Sequence, residues 1–285
     1  MPSLLVRLLL SIPESGDIQV IVVDDCSPCA KTMLSEFPQL NRTNVEYYYL
    51  AQNGGGGKAR NEGLKYAKGT WLLFADSDDF FSTDFVSLLD ENYNTEADVV
   101  YFNVLSVESD DVSKSATRNR AKELLFEKYR STGEMDHFRY SYCEPWGKMV
   151  RRDLVEKNHI RFDETKVAND YFFSVVSGCL ATSVDVCDRH LYVLTRRNNS
   201  VSSGFANTDE KLLIRLDVYT KVQLFLQSRN LDVKPMPIRG LMVILMKRNF
   251  LEFLRRLSVL RKKNISIVRL LSQMFDVRYI LHKKI

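Results

Sequence analysis

Residues 74–79, Phe-Ala-Asp-Ser-Asp-Asp, lead a hydrophobic run into three carboxylates, Asp76, Asp78 and Asp79. Carboxylates this close repel one another unless a cation neutralises them. Mg2+ or Mn2+ suits carboxylate oxygen and usually bridges to phosphates. The same acids would also serve as a helix N-cap cluster, because Asp at a helix start satisfies free amides. A second acidic pair, Asp24-Asp25, closes Val22-Val23 and precedes Cys26-Ser27. Phospho-accepting receiver domains also place acids at strand ends, but they are much shorter and leave residues 140–285 without a role. The third feature is Gly54-Gly55-Gly56-Gly57, followed by Lys58 and Arg60. Glycines let backbone approach a ligand closely, and a helix that follows them offers amides to phosphate. The stretch is neither a Walker loop nor a dinucleotide fingerprint, and a flexible turn explains it equally well.

The elements around these residues alternate. Leu4, Leu5, Leu8, Leu9 and Ile12 recur at helical spacing and predict a helix over 3–12. Gln19–Val23 is a β-branched run that reads as a buried strand. Helices are expected over Ala30–Phe37, from Lys58 to Ala67 and over Phe85–Asn92. Strands are expected at Val45–Leu50, Trp71–Ala75 and Val99–Val104. Strands alternating with helices imply an α/β fold with a mostly parallel sheet covered on both faces. In such sheets ligands bind beyond the carboxyl ends of the strands, where Asp24-Asp25 and Asp76 to Asp79 both fall. Residues 106–122 read as a polar surface loop. From about 208 to 285 the pattern turns helical: Leu212, Leu213, Leu216, Tyr219 and Val222 mark one face, and Leu251, Leu254, Leu257 and Leu260 another.

Composition is that of an ordinary globular chain, with 285 residues, 45% hydrophobic and 27% charged. A net charge of +4 is too mild for a nucleic-acid binder. Cys26 and Cys29 form a C-x-x-C with no second pair or His cluster, so reduced thiols are the simpler reading. No run of about 18 apolar residues indicates a membrane span, and residues 1–12 lack the basic start and cleavage site of a signal peptide. A cytoplasmic chain is expected.

The order Val-Val-Asp-Asp-Cys-Ser (22–27), Gly-Lys-Ala-Arg-Asn-Glu-Gly (57–63) and Phe-Ala-Asp-Ser-Asp-Asp (74–79) resembles glycosyltransferase family 2, the large GT-A group. Trp146-Gly147-Lys148-Met149-Val150-Arg151-Arg152, Ile160-Arg161-Phe162, Asn169-Asp170-Tyr171-Phe172-Phe173 and the expected closing strand and loop, Tyr192–Ser202, continue the likeness. It covers roughly residues 3–205. Each motif alone is weak; several in order at family-like spacing are specific. The resemblance implies a GT-A, Rossmann-like fold that inverts the anomeric centre by a single displacement, with a divalent metal, Mg or Mn, as cofactor. Asp25 would accept a hydrogen bond from the nucleotide base, expected to be uracil. Arg60 would lie near the diphosphate, Asp76 by the ribose and metal shell, and Asp78 on the metal. Asp170 would be the general base on the acceptor hydroxyl, and Trp146 would line the acceptor pocket. The partners implied are a nucleotide-sugar donor and a glycan or lipid-linked acceptor, as in bacterial surface polysaccharides.

Residues 1–110 would form the nucleotide-sugar-binding part, 111–205 the acceptor-binding part and 206–285 a helical C-terminal region. Three departures stand out. Cys26 replaces the usual Gly, Asn169 replaces the usual Glu, and the family's first strand is expected to be missing beside residues 18–23. Rival readings are an inactive, truncated paralogue and a nucleotidyltransferase of related fold, which would carry its glycines on the first strand. Between Arg239 and Lys263 stand Arg239, Lys247, Arg248, Arg255, Arg256, Arg261, Lys262 and Lys263 with one acid, Glu252. These basic helices are expected to face outward, either as a packed helix whose charges are merely solvated or as a peripheral membrane contact.

Overall fold

A computed structural model describes residues 2–28, 37, 41–197, 209–231, 238–246, 249–263 and 265–272. The chain order is α1 (Pro2–Leu10), β1 (Val20–Asp24), β2 (Val45–Tyr49), α2 (Gly55–Leu64), β3 (Trp71–Leu72), β4 (Phe80–Phe81), α3 (Phe85–Asn92), β5 (Val99–Glu108) and α4 (Arg120–Thr132). It continues with α5 (Phe138–Ser141), β6 (Lys148–Arg151), α6 (Arg152–Lys157), α7 (Tyr171–Leu180), β7 (Val184–Arg196), α8 (Asp209–Ser228), α9 (Ile238–Met246), α10 (Phe250–Lys262) and α11 (Ile267–Ser272).

Two ladders carry the site. β1 and β2 pair in parallel, and β1 has no other strand partner among the described residues. The second sheet has the order β3-β6-β5-β7-β4. Its long ladder, β5 with β7, is parallel, while β3/β6, β5/β6 and β4/β7 are short antiparallel pairs. Most paired residues are therefore in parallel ladders, as the sequence pattern implies, and the sheet is mixed at its edges. β5 is buried on both faces from Val99 to Val104, which is why it reads as an unbroken apolar run.

Helix α1 forms where the leucine spacing predicts it. Leu9 packs with Val20, Val22 and Tyr47 of the first ladder, while Leu8 and Ile12 join the main core. The helix thereby ties the two ladders together. In the C-terminal region, Val218, Val222 and Leu226 of α8 pack on Tyr171 and Val175 of α7. Leu216 turns to a second cluster with Leu241, Ile244, Phe253 and Leu260. No described helix is long and apolar enough to cross a membrane.

The structure corrects several boundaries. Helix α2 starts at Gly55, so three of the four glycines lie in its first turn rather than in a loop. Gly57 has to be glycine: α2 crosses residues 163–169 so closely that a Cβ there would overlap the Asp163 carbonyl oxygen. β3 keeps only Trp71 and Leu72 in a ladder. The expected loop 106–122 supplies the end of β5 and the buried Asn119 and Lys122. The closing strand runs over Val184–Arg196 instead of from Tyr192 onward. The expected helix at Ala30–Phe37, Cys29 of the C-x-x-C, and residues 198–202 fall outside the described residues, apart from Phe37 itself. The leucines of α10 do not share a face. A spacing of three falls about 60° short of a full turn at each step, so Leu251 is 82% exposed while Leu260 is 2% exposed.

Candidate active site

Asp25 follows β1 and closes on the start of α2. Its Oδ1 accepts the Gly54 N–H and its Oδ2 the Gly55 N–H, each at 2.7 Å. A carboxylate at a helix N-terminus satisfies amides that have no intrahelical partner. Those two amides are thus already taken and do not form a phosphate cradle. Next to Asp25, Cys26 has φ +64°, in the left-handed region where glycine is favoured. A residue with a Cβ thus adopts a conformation that glycine would take more easily.

Helix α2 carries Arg60 into the centre of the site. Its guanidinium donates to Asp76 Oδ1 at 2.6 Å and to Asn169 Oδ1 at 3.1 Å, with the Phe162 ring beneath it. The aromatic residues of three motifs hold the same arrangement from below. Phe74, just before the acids, meets the edges of Phe162 and Phe173, and Phe162 stacks on Phe173 at 4.0 Å. Phe173 lies one turn into α7 from Asp170, the N-cap residue. The acid loop and the start of α7 are therefore fastened to one aromatic cluster, and one arginine bridges Asp76 to Asn169, the residue before the expected base.

Asp76, Asp78 and Asp79 bring one oxygen each within 4.8 Å of one another. Asp76 N–H donates to the Tyr192 hydroxyl at 2.8 Å. The Asp78 main-chain oxygen accepts from Arg7 of α1 at 2.6 Å and from Thr195 Oγ1 at 2.7 Å. Asp79 is fully buried; its Oδ1 accepts the Thr195 N–H at 2.7 Å and faces Arg118 at 3.3 Å. Burial pushes its carboxyl up to about 7, against the pull of Arg118. Its Oδ2 is buried with no hydrogen-bond partner among the described residues. Three hard oxygen donors at this spacing, one of them with an unused lone-pair face, fit a divalent cation.

Asp170 is raised above the usual carboxylate range, chiefly by burial, with Arg60 opposing and Glu144 and Asp76 adding to the rise. Its neighbour Asn169 shares Arg60 with Asp76, which brings the start of α7 to the acid loop. Trp146 is only 7% exposed. Its ring stacks on Tyr192 and meets Tyr142 edge-on, so it supports the tyrosine that holds Asp76 and has little face left for a sugar. The sequence motifs did not signal Arg7, Arg118 and Arg197, each of which reaches the acid loop from a distant segment. Two cavities, of about 350 and 410 Å3, lie elsewhere, lined by residues such as Lys65 and Arg152 or Arg130 and Asp188; neither includes an expected site residue.

Residues 2–158, over half of the chain, match the model of glycosyl transferase family 2. The chain belongs to that family. A family 2 relative, the poly(ribitol-phosphate) beta-N-acetylglucosaminyltransferase TarS of Staphylococcus aureus (strain MW2), is 29% identical over 202 residues, which is 68% of this chain and 33% of that protein. The uncharacterized glycosyltransferase EpsJ of Bacillus subtilis (strain 168) is 28% identical over 191 residues, 66% of this chain and 55% of that one. The chain thus spans a third to just over half the length of these relatives. Among solved structures, residues 1–349 of S. aureus TarS in complex with UDP-GlcNAc match with a TM-score of 0.60 at 25% identity, covering 84% of this chain and 66% of that one. A mannosyltransferase from Pyrobaculum calidifontis, in complex with GDP-Man and Mn2+, shares the GT-A fold with a TM-score of 0.54 at 14% identity, over 97% of this chain and 72% of that one.

Proposed function

We propose that this family 2 chain transfers a sugar from a UDP-sugar to a hydroxyl of a glycan or lipid-linked acceptor, inverting the anomeric centre. The observation that carries the reading is Arg60. It joins Asp76 of the acid loop to Asn169, the neighbour of Asp170, so donor and acceptor chemistry share one hydrogen-bonded unit. The TarS complex with UDP-GlcNAc supports UDP as the nucleotide.

The roles follow from the residue types. Asp25 keeps a second lone pair on each oxygen for the uracil edge while it anchors α2. Asp78, with Asp76 and Asp79 beside it, would hold Mg2+ or Mn2+; the metal, when bound, supplies charge to the departing diphosphate. Arg60 lies where that charge builds and stabilises it from the protein side. Asp170 takes the proton of the acceptor hydroxyl as its oxygen attacks from the opposite face. Its raised carboxyl lies nearer the operating pH and is a stronger base than a surface aspartate. Trp146 acts from behind Tyr192 and orients the wall of the acceptor side.

The C-terminal helices favour a membrane-surface location for this reaction. On α10, Phe250, Leu251 and Leu254 are exposed on the face that also carries Arg255, Arg261 and Lys262. The helix's one acid, Glu252, is turned to Arg256. A lipid-linked acceptor would be presented at such a surface.

The test of the transferase reading is calorimetry of UDP binding in Mn2+ alongside transfer from UDP-GlcNAc and other UDP-sugars, with the product anomer read by NMR. Asp78→Ala is expected to lose Mn2+-dependent UDP binding with its thermal melt unchanged. Unchanged UDP binding would remove Asp78 from the metal role.

A further inference from the structure

β7 passes behind the acid loop and ends at Arg196. The next residue, Arg197, lays its guanidinium on Asp78, Nη2 to Oδ2 at 2.7 Å. The two side chains are only 27% and 18% exposed. Arg197 therefore occupies the carboxylate assigned above to the metal.

The surrounding charge makes this consequential. Four guanidiniums stand at the acid loop: Arg60 on Asp76, Arg118 on Asp79, Arg197 on Asp78, and Arg7 on the Asp78 main-chain oxygen. Against the three carboxylates of the loop and Asp170, which is coupled to Arg60, four cations leave a local formal charge of zero (4 − 4) with all four acids ionised. A divalent ion added to that set would make it +2, in a region partly shielded from water where like charges repel more strongly. Displacing one cation would lower that repulsion.

The other three are held elsewhere. Arg118 also donates to the Thr195 carbonyl at 2.8 Å, Arg60 to Asn169 at 3.1 Å and Arg7 to the Ser109 carbonyl at 3.2 Å. Arg197 has Asp78 as its hydrogen-bond partner, and its Nε is buried with none among the described residues. It is the cation least secured to anything but the acid.

We infer that Arg197 is a built-in counter-ion of Asp78, displaced when a divalent metal enters, and that its released charge is taken up by the donor diphosphate. This rests on the transferase reading for the diphosphate, and on geometry alone for the exchange at Asp78. Its consequence is that the metal site of the free protein is held partly closed. Metal alone binds weakly, because it has to break the Arg197–Asp78 pair. Metal with a nucleoside diphosphate binds well, because the freed guanidinium gains a new anion.

The experiment is titration of the full chain with Mn2+ alone, then with UDP in saturating Mn2+, by calorimetry and Mn2+ electron paramagnetic resonance. R197Q keeps hydrogen-bonding capacity but lifts the charge; it is expected to bind Mn2+ up to roughly fivefold more tightly than wild type, the scale of one ion pair near a surface. The same variant is expected to bind UDP more weakly in saturating Mn2+. R197K, which keeps a cation beside Asp78, is expected to stay near wild type in Mn2+ affinity, and a thermal melt checks that each variant folds. If D78N abolishes Mn2+ binding while R197Q leaves it unchanged or weaker, the counter-ion role is overturned and the metal role of Asp78 stands. If D78N leaves Mn2+ binding unchanged, the metal reading and this inference fall together.

Discussion

The acid loop and helix α10 carry their charges in opposite ways. At the loop, each of Asp76, Asp78 and Asp79 has an arginine on it, and Asp79 is fully buried. On α10, Arg261 and Lys262 are exposed and pair with no acid among the described residues, beside apolar side chains that also face water. Charges that are already paired can act only by exchanging partners. Charges left unpaired beside exposed apolar groups suit an external anionic surface. The first arrangement fits a site that takes up a cation and a diphosphate; the second fits a docking face.

Chemistry gives the largest expected effect at the loop. Asp170→Asn removes the proposed base, and transfer is expected to fall by roughly 10²–10⁴-fold while UDP binding in Mn2+ is retained. Steady-state transfer and calorimetry on the same preparation separate the two. The wild-type rate is expected to rise with pH through the raised value of Asp170, since only the deprotonated carboxylate accepts a proton. If Asp170→Asn still transfers sugar, the acceptor proton leaves by another group.

Stability comes next and contrasts the regions directly. Arg118→Met leaves Asp79 buried without its cation, which is expected to cost about 3 kcal/mol at pH 8, as removal of one partner of a buried pair does. Arg261→Met on α10 is expected to change stability by less than about 0.5 kcal/mol, because an exposed, unpaired cation contributes little. Urea unfolding of both variants measures the difference; similar costs would erase the contrast.

The same carboxylate gives a pH signature. Asp79 is raised to about 7, so the folded chain holds its proton over a range where the unfolded chain has lost it. Its contribution to stability is therefore present at low pH and is lost as pH rises from about 4, the unfolded carboxylate value, to about 7. Asp79→Asn is expected to flatten that part of the melting-temperature profile. A profile identical to wild type would show that Asp79 is ionised throughout.

The sequence made the acids legible because they are nearly contiguous, α1 because its leucines keep helical spacing, and β5 because it is an almost unbroken apolar run. It hid the arginines. Arg7 and Arg118 sit far along the chain from Asp78 and Asp79 in segments with no motif of their own, and Arg197 falls within the closing segment Tyr192–Ser202 without standing out there; only tertiary packing against the loop brings the three together. Trp146 stood out as an aromatic residue in a motif, yet its neighbours Tyr142 and Tyr192 enclose it. The short strands β4 and β6 carried too few residues to register as a period, and they exist as partners of β7, β5 and β3. On α10, a spacing of three looked like one face and wrapped around the helix instead.

The smallest expected effect concerns that helix, and it decides whether the unpaired charges have a surface to meet. Three apolar residues, Phe250, Leu251 and Leu254, share their exposed face with cations, and Met246 just before them is 78% exposed. Burying such residues at a bilayer boundary is favourable, and each basic residue near an anionic surface adds about 1 kcal/mol, roughly a fivefold gain in partition per charge. Arg256 is the exception to the outward reading of the basic residues, since it is only 20% exposed and pairs with Glu252 and Asp217, whereas Arg255 reaches Glu252 while 78% exposed. Lys247, Arg248 and the side chain of Arg239 fall outside what is described. Wild type is therefore expected to sediment with vesicles containing phosphatidylglycerol, not with neutral phosphatidylcholine vesicles, and to be released at high salt. Arg261→Ser is expected to weaken the partition a few-fold, Arg256→Ser hardly at all, and Leu251→Glu to abolish it. Equal losses from Arg261→Ser and Arg256→Ser would mean that bulk charge, rather than this face of α10, drives the contact. Absence of binding to either vesicle would leave α10 as a cap on the cluster of Leu216, Leu241 and Phe253.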